Sequence, residues 1–227
     1  MRRALRALST VLIIAGVLLI ADAGVTLAWQ EPVSALYARM NQGHLGGDLK
    51  RLEAAPLTPQ DRRALAAVGH GSKRRISILA RSLRRHVHAG EAIGRIAIPR
   101  IHASYVMVQG TTAASLRKGP GHYPSTTLPG LPGTVAVAGH RTTYLAPFRH
   151  VDRLRHGDRI TVEMPYGRFT YAVQKLKIVL PTALWVTKDV GYDRLVLSAC
   201  HPLFSASHRI VVFARLVDTE ARGAAAD

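Results

Sequence analysis

The chain has 227 residues, 48% of them hydrophobic, enough for one ordinary domain and an appendage. Its 31 Lys and Arg against 14 Asp and Glu leave a formal charge of +17, which favours anionic surroundings. The arginines are spread over the whole length without a zinc-finger, RNP or basic-zipper pattern, so no nucleic-acid partner is expected, and a single cysteine excludes an intramolecular disulfide and any CxxC metal or redox site.

Arg2, Arg3 and Arg6 precede an almost uninterrupted apolar run over 11–28. About 20 such residues cross a hydrocarbon core, and the arginines predict a cytoplasmic amino terminus with everything after Trp29 outside. Ala21-Asp22-Ala23 also resembles a signal-peptidase site, but either outcome exports the rest of the chain.

From 30 to 89 the composition is polar, basic and Ala-rich, with too little apolar surface for a core of its own. Thr58-Pro59-Gln60-Asp61 reads as a helix start, with Thr58 as N-cap and a short helix running to about Val68. Ile76, Leu79, Leu83 and Val87 recur at helical spacing among Lys73, Arg74, Arg75, Arg81, Arg84 and Arg85. That predicts a basic amphipathic helix, lying either on anionic headgroups or on the flank of the domain.

Short β-branched runs follow at 93–98, 105–108, 134–138, 159–164, 169–179, 194–199 and 209–217, separated by Gly, Pro and polar clusters. Seven or eight such strands predict an all-β barrel or sandwich. Helical turns are expected near 112–118 and 147–154, and no βαβ alternation or internal repeat is evident.

Three residues at strand ends make a chemically sufficient set: His140 after 134–139, Cys200 after 195–199, and Arg209 opening the last strand. Loops at such ends expose side chains on a rigid support. A thiol of ordinary pKa needs a base before it attacks an amide, a histidine can later protonate the leaving amine, and a guanidinium offers fixed donors to the tetrahedral oxyanion. Alone, each residue also has an ordinary structural role. His102, His122, His150, His156 and His201 show no HxH or HExxH spacing and the acids are scattered, so no metal and no cofactor are expected.

The local wording is more specific. Gly90-Glu91-Ala92-Ile93-Gly94-Arg95-Ile96, Gly119-Pro120-Gly121-His122-Tyr123-Pro124, Ala138-Gly139-His140-Arg141-Thr142-Thr143-Tyr144, Ala146-Pro147-Phe148, Trp185-Val186, Cys200-His201-Pro202, Ser205-Ala206 and Arg209-Ile210-Val211-Val212 occur in order. This resembles the sortase family, closest to the class E type of high-GC Gram-positive bacteria. The resemblance implies an eight-stranded sortase-type β-barrel with short helices behind a transmembrane helix. It also implies catalytic roles for His140, Cys200 and Arg209. Sortases cleave an LPxTG-like signal near the carboxyl end of an exported protein between Thr and Gly, hold a thioester, and pass it to an amine of a peptidoglycan precursor.

Class E enzymes are associated with an LAxTG-like signal, and Tyr123 matches the family position linked to that preference. His122 either lines the substrate groove or is a loop histidine. The family usually reads Thr-Leu-x-Thr-Cys at the nucleophile, whereas this chain has Val196-Leu197-Ser198-Ala199-Cys200. Ser198 and Ala199 are therefore expected beside the substrate with altered efficiency or preference, and an inactive module that binds sorting signals or wall polymers is the alternative. A pilus-polymerising enzyme would carry an Asp-Pro-aromatic lid motif, which 30–89 lacks. In papain-like proteases the Cys precedes the His. The expected organisation is a cytoplasmic tail at 1–8, a plasma-membrane anchor at 9–29, an extracellular basic linker with short helices at 30–89, a catalytic domain at 90–218 and a disordered tail at 219–227.

Overall fold

A computed structural model of the protein describes residues 2–28 and 32–226. Trp29 and Gln30, where the anchor is expected to end and the linker to begin, lie outside the described residues, as does Asp227. The apolar amino-terminal run forms α1 (Arg2–Ala28), of which Arg3–Gly24 is long and apolar enough to cross a membrane.

The β-branched runs become β1 (Ala92–Ile98), β2 (Ala103–Gln109), β4 (Thr134–Ala138), β5 (Arg159–Met164), β6 (Gly167–Val179), β7 (Arg194–His201) and β8 (His208–Ala221). β3 (Gly121–His122) is a two-residue strand with no run of its own; it pairs parallel to β2 and antiparallel to β4. The strands close in the order β1-β2-β3-β4-β7-β8-β6-β5, with β1 paired to β5. Closure gives every strand two neighbours, although the two-residue β3 covers only Val108 and Gln109 of β2. This is the eight-stranded barrel expected from the sequence.

Alternation along each strand sorts the side chains. Val135, Val137, Leu195, Leu197, Ala199 and Val212 point into the barrel core, while Ala136, Val196, Val211 and Phe213 form a second apolar cluster on its outer face. Each fully buried Val or Leu contributes about 1.5–3 kcal/mol.

The segment before β1 is more structured than short helices on a linker. α2 (Pro32–Ala54) is a 23-residue helix despite Gly43, Gly46 and Gly47 in its interior, each costing about 1 kcal/mol against alanine. Tertiary contacts hold it. Leu45 and Leu49 are buried with Ala92, Val106 and Val108. The Gln42 amide accepts from Val106 N at 2.8 Å and donates to Val106 O at 3.0 Å and Lys118 O at 2.9 Å. It thereby pairs the stretch of β2 that β3 is too short to reach.

α3 (Pro59–Val68) starts at the expected cap, where Thr58 Oγ1 accepts from Asp61 N at 3.1 Å. α4 (Ser72–His86) packs Ile76, Leu79 and Ala80 into the barrel core cluster, so of its two expected placements the flank is the one observed. Asp61, buried beneath, accepts 2.7 Å bonds from Thr58 Oγ1 and Ser82 Oγ and joins the two helices.

The disordered tail expected at 219–227 is corrected. β8 stays paired with β6 as far as Ala221 opposite Gly167, and a 3-10 turn (Gly223–Ala225) follows. Ala225 is 1% exposed in the core cluster and Arg75 Nη2 donates to Ala224 O at 2.8 Å, so both apolar burial and a hydrogen bond hold the end down.

Candidate active site

The site is built where β4, β7 and β8 end together. β4 and β7 run parallel with Ala138 opposite Ser198, and Gly139 N donates to Ser198 O at 3.1 Å. The ladder therefore runs on to the residue before His140, and His140 and Cys200 leave neighbouring strands at the same level. Across the antiparallel pair, Cys200 is the register partner of Arg209. The three residues singled out in the sequence are thus brought together.

Alternation gives Cys200 its direction. Leu195, Leu197 and Ala199 belong to the core cluster and Val196 to the outer one, so Cys200 follows Val196 and Ser198 onto the outer face. There Arg141, Thr142, Cys200, Pro202, Phe204, Ser205 and Ala206 line a surface pocket of about 330 Å³. Ala199 is 4% exposed and its methyl packs inside the barrel. Its missing hydroxyl lies on the side of the strand away from the thiol, and only its backbone is shared with the groove.

Gly139 is needed for local packing. A Cβ there would sit 2.5 Å from Phe148 Cδ2, and Phe148, fully buried, donates its N–H to His140 O at 3.0 Å. His140 Nε2 is buried and without a hydrogen-bond partner, a polar atom placed to meet something else. Burial, reinforced by the Arg117 guanidinium, holds the His140 pKa below the usual histidine range, so the neutral base form is favoured. Arg209 Nη1 donates to Ala206 O at 2.9 Å and His208 O at 3.0 Å, which orders the β7–β8 turn beside the thiol.

Tyr123 packs against the outer cluster with Val179 and Ala183. Next to it the 3-10 turn Leu184–Thr187 stacks Trp185 on Phe213, with centroids 6.1 Å apart at 14°. An apolar wall therefore lies along β7 and β8 on the same outer face as the thiol.

His122 does not join the groove, which corrects the expectation that it contacts substrate. It is 2% exposed, with Nδ1 2.9 Å from Gln109 Oε1 and Nε2 2.9 Å from Thr127 O and 3.1 Å from Thr126 Oγ1. Desolvation dominates and lowers its pKa to about 4, so it is a neutral bracket for the loop that carries Tyr123. The sequence reading assigned no role to Arg141, although it directly follows His140; its side chain is 3% exposed and reaches the Cys200 carbonyl. No group of three or more His, Cys, Asp or Glu among the described residues is arranged to hold a metal.

Residues 96–217, more than half of the chain, match the family described as Sortase domain. The chain belongs to the sortase family. Sortase D of Bacillus subtilis is 34% identical over 132 residues, covering 56% of this chain and 65% of that protein. Sortase SrtE1 of Streptomyces coelicolor is 28% identical over 149 residues, covering 59% of this chain and 42% of that protein. This sortase thus spans less than two thirds of these curated relatives.

Among solved structures, sortase E from Streptomyces avermitilis superposes with a TM-score of 0.55 at 32% identity, covering 62% of this chain and 99% of that one. Sortase E1 from Streptomyces coelicolor, solved with a tripeptide in its active site, gives 0.56 at 26% identity, covering 59% and 92%.

Proposed function

We propose that this sortase is a membrane-anchored cysteine transpeptidase. It cleaves an LAxTG- or LPxTG-like signal on an exported protein between Thr and Gly and transfers the acyl group to a peptidoglycan-precursor amine. The observation that carries the reading is the outward-facing Cys200 at the shared end of β4, β7 and β8, level with His140 and paired in register with Arg209.

In this reading the neutral His140 takes the thiol proton as Cys200 Sγ attacks the threonine carbonyl carbon. The carbonyl oxygen gains the electron pair, and the Arg209 guanidinium donates N–H bonds to it. Collapse breaks the Thr–Gly C–N bond, the imidazolium protonates the leaving glycine amine, and a Cys200 thioester remains. The incoming amine then attacks the thioester, His140 accepts its proton, and the thiolate departs. Tyr123 and the Trp185 wall hold the signal's apolar residues, while the Ser198 and Ala199 backbone runs alongside.

In this reading α1 anchors the chain by a single pass in the plasma membrane, with Arg2, Arg3 and Arg6 favouring a cytoplasmic start and hence an external barrel. The inactive-module alternative drew on the altered Ser198-Ala199 pair, and the inward direction of the Ala199 methyl counts against the part of it that rests on Ala199.

The test is transfer from LAxTG and LPxTG peptides to an amine acceptor, with mass-spectrometric detection of the thioester. Cys200→Ala should retain the fold and abolish both products. Normal transfer by that variant would sink the reading.

A further inference from the structure

We propose that Arg141 is a positioning residue that locks the loop behind His140 to the strand end that carries Cys200. The inference rests on the reading above, in which those two residues react together.

A guanidinium has five N–H donors in a planar fork and no acceptor. In Arg141 all five are placed. Nε donates to Arg149 O at 3.2 Å and Nη2 to the same carbonyl at 3.1 Å. The second Nη2 donor meets Asp152 Oδ1 at 2.9 Å. Nη1 reaches Cys200 O at 3.4 Å, a long bond, and His201 Nδ1 at 3.3 Å. Since arginine only donates, that last contact requires the lone pair on His201 Nδ1 and its proton on Nε2.

The partners explain the purpose. Arg149 closes the loop that Arg141 opens, and Phe148 N donates to His140 O at 3.0 Å alongside. Within the loop Tyr144, Leu145 and Ala146 have φ of 51°, 63° and 41°, three consecutive left-handed residues without a glycine. Residues held in that region persist only where their surroundings over-determine them. Tyr105 Oη donates to Leu145 O and Tyr144 N to Ser34 Oγ, each at 3.2 Å, which holds the strained residues themselves. Arg141 pins the far side of the loop through Arg149 O, and its Nη1 ties that side to the carbonyl of the nucleophile itself. One peptide bond separates it from His140, so a shift of the fork moves base and thiol relative to each other.

A lysine keeps the charge but has three tetrahedrally directed donors and cannot span Arg149, Asp152 and Cys200 at once. Displacement of reacting groups by about 1 Å costs on the order of 100-fold in rate. Arg141→Lys should therefore lower kcat by about 10- to 100-fold with KM for the sorting peptide unchanged. The rate is expressed per Cys200 titrated in the folded protein, so that simple loss of folded molecules does not register.

A second readout needs no peptide. Iodoacetamide alkylation of Cys200 across pH should depend on His140 in the parent protein, shown by its change in His140→Ala, and that dependence should vanish in Arg141→Lys. If the parent shows no transfer, the transpeptidase reading fails while alkylation still tests Arg141. Unchanged kcat per thiol together with an unchanged alkylation profile overturns the proposal, as does a loss explained by unfolded protein. Should Arg141→Lys not fold, Asp152→Ala, which removes the acceptor of Nη2, takes its place: lower kcat per titrated thiol supports the role, and parental kcat overturns it.

Discussion

The His140 and Tyr144 rings lie with centroids 5.2 Å apart at 43°, and the Arg117 guanidinium stands 6.0 Å from the Tyr144 ring. The tyrosine covers the imidazole and the arginine adds positive charge beside it. Desolvation is the larger cause of the lowered His140 pKa and Arg117 the smaller, so the two act in one direction. Arg117→Gln removes only the second. The His140 pKa should rise while remaining below the usual value, and the acidic limb of Cys200 alkylation should move to higher pH. An unchanged limb would show that Arg117 does not reach the imidazole.

His122 makes stability depend on pH. Its folded pKa of about 4 lies below the ordinary 6.5, so between these values the unfolded chain binds the extra proton. Stability should be fully present above about pH 6.5 and decline as pH falls towards 4, by roughly 3 kcal/mol in all. Urea denaturation at several pH values measures it. His122→Gln should be weaker at neutral pH, where its hydrogen bonds are lost, and flatter between pH 6.5 and 4.

Gly139 is held by the Phe148 ring. Gly139→Ala places a methyl 2.5 Å from Phe148 Cδ2 in fully packed surroundings, an overpacking that should cost about 1–3 kcal/mol. Because His140 is the next residue, transfer should fall as well. Adding Phe148→Leu should recover part of the stability, and no recovery in the double variant would mean that the ring is not the obstacle.

Gln42 joins two parts of the chain that are 64 residues apart. Gln42→Ala leaves Val106 N and O without their amide partner, at about 1–3 kcal/mol for each group that stays buried. The variant should unfold at lower urea concentration and show faster limited proteolysis within α2. Equal cleavage rates in variant and parent would contradict the docking role.

Elements with a local signature were legible in the sequence. The run at 159–164 alternates, and β5 has the same bounds; Thr58-Pro59 starts α3 because a hydroxyl cap and a fixed φ act within one turn. β3 and α2 were not legible. A two-residue strand has no period to detect, and a helix with three interior glycines runs against its own propensity. His122 was misplaced for the same reason, since its burial comes from Gln109 and Thr127 on separate segments rather than from its neighbours in Gly121-His122-Tyr123.

By itself the sequence determined seven of the eight barrel strands, an amino-terminal helix able to span a bilayer, and the placement of Cys, His and Arg at strand ends, while the family resemblance rested on its ordered motifs. Those properties follow from residue types and their period along the chain. Only the tertiary structure decided that Cys200 faces outward while Ala199 packs inward, that His122 is a bracket, that α2 docks through Gln42, and that Arg141 reaches the nucleophile's carbonyl. Each of these depends on register between distant strands, or on one side chain meeting a remote backbone group, and barrel closure sets such encounters where local periodicity cannot.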